Sequence, residues 1–398
     1  MRHLCLLAGR RRDRQLARHT FLLVSCLVVV AAPAASQDPA QPPPATPWYQ
    51  DLSFNGLLSA SYSVNVNRPA SRTNQFRVFD FDDASLKVDV VELVFQKGAA
   101  RSNEVGFRID LAVRASIPRA IASIGMFRDD NGKAGDIDVH QAFMTYVAPA
   151  GRGLRIDVGK FTTHFDYEVI EGYDGYNDNF SHSFLFGYAE PATHTGVRLS
   201  YPLSDTVGVQ FHVVNGWDNV RDNNRGKSFG AQLAFTPGGR GSFFANYMVG
   251  PEQTDNNSNL RQLINFDGTF KASARVTLAF NADVGRESGV PGAMAVNGGT
   301  ASVDANWKGL AGYARFTASP RVAFILRGEA FDDTDGVRTG VVQVLKALTL
   351  TPEFRVHPRF IVRGEVRHDW SDAAVFETHA GGTTSRQTTV AINTLFVF

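Results

Sequence analysis

The side chains with the most reactive chemistry in this sequence are its histidines, and their spacing does not favour catalysis. No pair has the helical spacing of a metal site such as His-Glu-x-x-His. His182 lies between Ser181 and Ser183, which could suit a hydrolase. A nucleophilic serine also needs an orienting third group and an oxyanion hole, and the sequence reveals neither. We therefore predict no catalytic residue, no metal ion and no cofactor, and interpret this triplet as polar loop residues.

Charged residues form a second group, and they alternate with apolar residues. The apolar residues are Val105, Phe107 and Ile109. The charged residue Arg108 precedes Ile109, and the charged residue Asp110 follows it. Side chains on a β-strand point alternately to opposite faces, so the pattern predicts one apolar face and one wet face. The charged residues predicted on such wet faces are Arg108, Asp110, Arg114, Arg155, Asp157, Arg198, Asp283, Arg327, Glu329, Arg363, Glu365 and Arg367.

Two interpretations of these wet-face charges are open. Arginines and carboxylates that alternate along a strand, as in Arg363, Glu365 and Arg367, can pair across adjacent strands and stiffen a wall. They can equally line a water-filled bore, where rings of arginine attract anions. The two roles are compatible, and we expect both.

The segment from Phe165 to Pro191 lacks this alternation and is acidic and rich in aromatic residues. The aromatic residues favour packing against other parts of the protein, so we predict that the segment folds into the bore and narrows it. Its acidic side chains would then face Arg108, Arg114, Arg155 and Arg198 across the bore and create a transverse field. The alternative is a solvated surface loop. The acidic residues concerned are Asp166, Glu168, Glu171 and Asp174.

The elements that must position these residues are strands, because sixteen alternating segments fit between Trp48 and Phe398. Their connections are alternately short and long. A β-sandwich has no reason for this regularity, whereas bacterial outer-membrane barrels have short periplasmic turns and long extracellular loops. We therefore predict an all-β fold, a transmembrane antiparallel up-and-down β-barrel of about sixteen strands. The predicted strands are 51–66, 84–98, 103–115, 137–149, 152–164, 192–203, 205–216, 226–237, 241–250, 260–272, 274–287, 302–317, 320–332, 341–356, 359–371 and 386–398.

Two of these strands break the alternation. Glu92 interrupts the second strand, and Lys308 to Leu310 shift the phase of the twelfth. A β-bulge would explain either irregularity, and so would a miscounted strand.

Composition agrees with a barrel and excludes other classes. The 398-residue chain has a net charge of +1, so no global field points to nucleic acid. It contains 30 Phe and 36 Gly at an ordinary 43% of hydrophobic residues, as expected where only alternate strand residues must be apolar. Its two cysteines, Cys5 and Cys26, lie near the N-terminus, so disulfides are not expected in the rest of the chain.

The N-terminus has the features of an export signal. A basic stretch precedes the apolar run Phe21–Ala32, which is too short to span a membrane comfortably, and small residues follow up to Ser36. We predict a signal peptide over residues 1–36, a Pro-rich flexible leader over 37–47 and the barrel over 48–398. Leu23-Val24-Ser25-Cys26 resembles a lipoprotein processing motif, so lipidation at Cys26 is an alternative.

The C-terminus ends in alternation, with Val390, Ile392, Thr394, Phe396 and Phe398 on one face. A terminal strand ending in Phe resembles the signal that the outer-membrane assembly machinery reads.

Residues 159–224 also resemble a known family. Gly159-Lys160-Phe161, residues 177–186 and Asn215-Gly216-Trp217-Asp218 are similar to the bacterial outer-membrane channels of the β-barrel porin 2 (OmpL-like) family. The family is expected to have Arg where this chain has His182. The resemblance implies a porin-like outer-membrane protein and brings no established substrate.

The sequence thus predicts a channel in the Gram-negative outer membrane for passive diffusion of small hydrophilic solutes or ions. The first alternative is a plugged barrel with a structural, adhesive or receptor role, and the second is a barrel enzyme that acts on lipid. Expected partners are outer-membrane lipids, lipopolysaccharide, the assembly machinery and the solutes, but no nucleic acid. A homo-oligomer is compatible with the sequence.

Overall fold

The structure is a computed structural model that describes residues 47–113, 126, 137–165, 167–170, 172, 175–291 and 302–398. The predicted signal peptide and residues 37–46 of the leader lie outside the described residues. Within the described ranges, no helix combines the length and apolar character needed to cross a membrane. The helical elements found there are a 3-10 helix, Trp48–Asp51, and a π-helix, Leu185–Ala189.

Sixteen long antiparallel strands form one closed barrel, as predicted, and their ends lie within three residues of the predicted ends. Two further short strands, β16 and β17, form a separate hairpin in the last long connection. The strands are β1 (Leu52–Asn65), β2 (Ser85–Lys97), β3 (Val105–Val113), β4 (Ile137–Ala148), β5 (Leu154–Thr162), β6 (Thr193–Pro202), β7 (Val207–Val214), β8 (Ser228–Phe235), β9 (Gly241–Pro251), β10 (Leu260–Lys271), β11 (Val276–Val290), β12 (Val303–Ser319), β13 (Val322–Asp333), β14 (Gln343–His357), β15 (Phe360–Ser371), β16 (Phe376–Glu377), β17 (Thr383–Thr384) and β18 (Arg386–Val397).

The barrel closes between its first and last strands. β1 pairs with β18 in a register that sets Leu57 opposite Val397. Beyond the end of β18, Phe398 and Gly56 exchange both backbone hydrogen bonds at 3.0 Å. A Cβ on Gly56 would lie 2.5 Å from the Phe398 ring, so the terminal ring covers a position that only glycine fits.

Connection lengths alternate around the barrel as the sequence predicted. The seven short connections span two to seven residues, for example 320–321 and 358–359, and the eight long ones span at least eight. The connection between β5 and β6, residues 163–192, has the greatest length. Short periplasmic turns and long extracellular loops are typical of bacterial barrels.

The two faces of the strands differ in chemistry. On β11, Leu278 and Val284 are 42% and 60% exposed on the outer face, whereas Asn281 and Asp283 are buried on the inner face. The same alternation sets Val105 outward on β3. The outer face is therefore apolar and suits hydrocarbon, and the inner face is polar.

One predicted irregularity is a bulge and the other is not. The β1–β2 register shifts beside Ser59, so Asp89 and Val90 are both buried and Glu92 then points inward on β2. β12 continues through Lys308 without a bulge, because Trp307 and Ala311 keep the inward phase. Lys308 faces outward near the extracellular end.

The outer face generates a prediction about depth. Leu350 is the eighth of fifteen residues in β14 and Val356 the fourteenth, and both are exposed on the outer face. Arginine at the bilayer midplane costs about 2–4 kcal/mol, against about 0–1 kcal/mol near an interface. Leu350→Arg should therefore lower the free energy of unfolding by that larger amount, measured by urea titration in lipid vesicles, and Val356→Arg is the matched control. Equal losses in both variants would contradict the assigned depth.

Closure at Phe398 generates a second prediction. Deletion of Phe398 removes two backbone hydrogen bonds and the ring over Gly56, so the folded, heat-modifiable fraction on an unboiled gel should fall strongly. Phe398→Tyr keeps the backbone and the ring and should assemble normally. Unchanged assembly of the deletion would show that the terminal residue is dispensable for closure.

Candidate functional site

The polar inner face is the candidate site, and most of the predicted site residues lie on it. Asp110, Asp157, Asp283, Arg327, Arg363 and Arg367 are at most 1% exposed. Arg114, Asp166, Glu171 and Asp174 lie outside the described residues. The described members divide by strand into a β3–β6 wall (Arg108, Asp110, Arg155, Asp157 and Arg198), a β13–β15 wall (Arg327, Glu329, Arg363, Glu365 and Arg367) and Asp283 on β11.

The β3–β6 wall carries ion pairs with partly exposed arginines. Arg108 donates to both oxygens of Asp110, at 2.8–3.0 Å. Asp157 accepts hydrogen bonds from Arg155 at 3.0 Å and from Arg198 at 2.8 Å. The side chain of Arg155 is 39% exposed, that of Arg198 17% and that of Arg108 13%. Water therefore reaches the cations of this wall.

In the β13–β15 wall, β13 lies eight strands from β5 and β14 lies eight strands from β6 around the barrel. The arginines of this wall are fully buried. The side chains of Arg327, Arg367 and Glu329 have no exposed surface. Arg327 lies 3.2 Å and Arg367 3.3 Å from Glu329. A charge so buried needs partners, since the loss of hydration costs several kcal/mol per ion.

Residues of the segment 165–191 are among those partners. Glu168 Oε1 accepts hydrogen bonds from Arg327 at 2.9 Å and from the Tyr313 hydroxyl at 3.0 Å. Asp178 binds Arg315 at 2.5 Å. Glu168 and Asp178 thus contact β12 and β13. The sequence interpretation set Glu168 across the bore from the arginines of the β3–β6 wall and did not identify Arg327 as its partner.

Wall carboxylates bind the backbone of the same segment. Glu365 accepts the N–H groups of Phe180 at 2.7 Å and Ser181 at 3.0 Å, and Glu329 accepts that of Phe184 at 2.6 Å. A buried backbone N–H group needs a hydrogen-bond partner. The inward carboxylates supply that partner for these three residues.

Wall arginines donate hydrogen bonds to the backbone carbonyl groups of the segment. Guanidinium groups offer five donors, so each can serve a carboxylate and a backbone carbonyl together. The pairs are Arg327 with Ser181 at 2.5 Å, Arg363 with Asn179 at 3.2 Å and with Asn177, and Arg367 with His182.

Asp283 belongs to a third group, on β10 and β11. It accepts a hydrogen bond from Asn265 at 2.9 Å. Glu190 of the segment accepts hydrogen bonds from Asn281 at 2.6 Å and from Asn265 at 3.3 Å. The amide groups of Asn265 and Asn281 therefore bind the segment at β10 and β11.

The first long connection, residues 66–84, also contacts the inner face, which sequence reasoning missed. Arg77 is 7% exposed, donates to Asp369 on β15 at 2.6 Å and binds Asp80. The aromatic residues Phe76 and Phe79, both in hydrophobic clusters of the interior, are the sequence signal that could have indicated packing.

The extracellular end of the barrel contains stacked aromatic and cationic groups. Arg338, in the connection after β13, lies over the rings of Trp217 and Trp307 at 5.2 and 5.0 Å. Burial lowers the pKa of Arg338 to about 10, and the nearby Arg261 adds to this effect. Burial likewise raises the pKa of Glu252, in the connection after β9, to about 7. These groups anchor loops at the mouth of the barrel.

The Ser-His-Ser triplet has no catalytic arrangement among the described residues. His182 Nε2 contacts Asn177 at 2.9 Å and the Val169 carbonyl at 3.1 Å, and its ring stacks on Phe186. Ser183 Oγ accepts the N–H of Phe186 at 3.1 Å. The bonds of the triplet are those of a packed loop.

A closed sixteen-strand barrel with an apolar outer face, a polar inner face and long loops at one end defines the porin class of outer-membrane channel proteins. The chain belongs to the family described as "Putative beta-barrel porin-2, OmpL-like", whose model matches residues 51–398. This is the family that the residues around 159–224 resembled.

Solved barrels share the fold at low identity. The outer-membrane channel DcaP of Acinetobacter baumannii is 14% identical, with 87% of this chain and 97% of that chain covered and a TM-score of 0.57. An anion-selective porin from Comamonas acidovorans is 11% identical, with 87% and 99% covered and a TM-score of 0.57. OmpT of Vibrio cholerae in its trimer form is 11% identical, with 87% and 99% covered and a TM-score of 0.56. No curated protein sequence matches the chain.

The contrast between the two walls generates a stability prediction. Removing one partner of a buried ion pair costs about 3–5 kcal/mol, whereas an exposed pair contributes about 0–1 kcal/mol. Arg327→Met should therefore lower the free energy of unfolding far more than Arg155→Met, measured by urea titration of the refolded barrel. Similar losses would mean that burial of Arg327 does not decide its contribution.

Proposed function

We propose that the protein is a channel for passive diffusion of small hydrophilic solutes or ions across the Gram-negative outer membrane. The observation that carries the proposal is the closed barrel with charged residues on its inner face, in a chain of the porin-2 family. A lumen lined by such residues holds water and ions. The solute gradient drives passage, so no cofactor is needed.

We further propose that the segment 165–191 narrows the lumen. Support comes from its contacts with the β13–β15 wall, opposite the strands β5 and β6 that the segment joins. The path would then run along the β3–β6 wall, where Arg155, Arg198 and Arg108 are partly exposed. The buried arginines Arg327, Arg363 and Arg367 would serve as anchors of the segment. Asp110, Asp157, Glu168, Asp283, Glu329 and Glu365 complete the proposed lining and anchoring set, together with Arg114, Asp166, Glu171 and Asp174.

Export and assembly follow from the same proposal. A signal peptide over residues 1–36 would direct secretion, and the terminal strand β18 with Phe398 would be read by the assembly machinery. The outer face would contact outer-membrane lipids and lipopolysaccharide. We also propose that a homo-oligomer forms, because one solved barrel of this fold is described as a trimer.

A second candidate function is a plugged barrel with a structural, adhesive or receptor role. The observation that favours it is the burial of the interior: Arg77, Arg327, Arg363 and Arg367 are all at most 7% exposed. Two connections, 66–84 and 165–191, contribute to this burial. A barrel enzyme acting on lipid is the third candidate, and assay on phospholipid and lipopolysaccharide addresses it directly.

Single-channel recording in a planar bilayer separates the first two candidates. A channel should give discrete conductance steps that scale with salt concentration, and a permanently plugged barrel should give none. The recordings must use folded protein, identified by its heat-modifiable gel mobility. Absence of conductance from folded protein would contradict the channel proposal.

Two variants test the narrowing. Deletion of residues 172–179 should raise conductance because the bore widens. Arg155→Gln should shift ion selectivity towards cations, since a charge within about 8–10 Å of the path acts on passing ions despite screening. Arg240→Gln, in the exposed periplasmic turn 236–240, is the matched control and should leave selectivity unchanged. A deletion variant with unaltered conductance would place the segment outside the path.

A further inference from the structure

Three potential metal ligands from adjacent strands meet on the inner face. They are Glu92 on β2, Asp110 on β3 and His140 on β4, and one ligand atom of each lies within 4.8 Å of the other two. All three are buried, at 2%, 0% and 4% exposure. The three strands are consecutive in the barrel, so the wall itself brings the side chains together.

A bulge in β4 explains why His140 takes part. The β3–β4 register passes from Asp110 opposite Gln141 to Leu111 opposite Val139, so His140 has no opposing residue. Both His140 and Gln141 are therefore buried at adjacent positions, which strict alternation forbids. Bulges re-aim side chains in this way.

Glu92 orients the imidazole of His140. His140 Nδ1 lies 3.1 Å from Glu92 Oε1, which is a hydrogen-bond distance. A metal-binding histidine commonly donates one ring N–H to a carboxylate in this way, which leaves the other nitrogen, here Nε2, for the metal. Asp110 accepts three hydrogen-bond contacts from Arg108 and one from Gln141 at 2.7 Å. Three of these four contacts fall on Oδ2 and one on Oδ1, so one of the two lone-pair sites of Oδ1 remains available.

A second observation points to a missing ligand. His140 Nε2 is buried and has no hydrogen-bond partner among the described residues. His140 lines a cavity of about 60 Å³, together with Glu92, Arg108 and Gln141. A cavity of that size accommodates an ion or a few waters, since one water needs about 10–15 Å³ of such space. A buried imidazole with one unsatisfied nitrogen beside such a cavity is therefore a ready ligand.

Two cations limit which ions can bind. Arg108 is held by Asp110, and Lys160 donates to the carbonyl of Val139, next to His140, at 2.5 Å. Together they offset the two carboxylates. A hard ion such as Ca²⁺ depends on several charged oxygen ligands, whereas first-row transition ions gain affinity from imidazole nitrogen.

We propose that Glu92, Asp110 and His140 form a binding site for one divalent first-row transition-metal ion, of the Zn²⁺ or Co²⁺ class. Water in the adjacent cavity completes the coordination. Gly172 of the segment 165–191 covers the site, because a Cβ there would lie 2.1 Å from Glu92 Oε2. The bound ion therefore lies beneath the segment, and its binding does not require that the channel conduct.

The test is a calorimetric titration of untagged, folded barrel with Zn²⁺, repeated with Co²⁺ by visible absorption. The wild type should bind one ion per chain. His140→Ala should weaken binding by at least about tenfold, the effect typical of altered metal shells. Glu92→Gln, which keeps the size of the side chain, should do the same if His140→Ala fails to fold. His368→Ala, at a histidine that bonds Thr388 on the outer face, is the matched control and should bind as the wild type does.

Arg108→Gln distinguishes a metal site from a merely structural cluster. Loss of the competing cation should strengthen Zn²⁺ binding while His140→Ala weakens it, and this opposition of sign is specific to coordination. No stoichiometric binding by the wild type would overturn the proposal. Equal affinity of the wild type and both ligand variants would overturn it as well. Neither result bears on the proposed channel, which conductance tests separately.

Discussion

The structure depends on one constraint, the satisfaction of backbone hydrogen bonds where no water is available. In hydrocarbon each unpaired N–H or C=O group costs several kcal/mol, so a sheet can cross only if it has no free edge. The pairing of β1 with β18 removes the last edge, and the exchange between Gly56 and Phe398 extends that pairing to the end of the chain. Once the sheet is closed, alternation follows, because one face meets lipid and the other meets the lumen.

The same constraint acts on the interior in a different form. Backbone N–H groups and carbonyls of the segment 165–191 are buried in the interior and need partners, while Arg327, Glu329, Arg363 and Glu365 are buried charges that lack hydration. Each set supplies the partners of the other: carboxylates accept the N–H groups and guanidinium groups donate to the carbonyls. Loss of one partner leaves a buried charge unpaired, which costs more free energy than an intact pair contributes. The wall and the segment are therefore best understood as one cooperative unit.

The sequence could predict the features that have a local cause and could not predict those that depend on long-range contacts. Strand positions and the inner or outer face of Asp283 and Leu278 follow from a two-residue period, which is local. The bond between Glu168 and Arg327 joins residues 159 positions apart across the barrel, and no period encodes it. The sequence interpretation placed Glu168 across the bore from the arginines of the nearest strands and could not identify Arg327 as its partner. His140 was missed for a local reason, since a bulge adds one residue and reverses the face of those beyond it.

The two walls also show why a short charge motif does not define a role. Arg155 and Asp157 on β5 have the same spacing as Arg327 and Glu329 on β13, and both arginines point inward. The side chain of Arg155 is nevertheless 39% exposed and that of Arg327 is 0% exposed. The difference arises from the segment, whose Glu168 and Ser181 bind Arg327, whereas Asp157 and Thr145 of the wall itself bind Arg155. A wall arginine is therefore fully buried where the segment binds it, and it keeps some exposure to water where only the wall binds it.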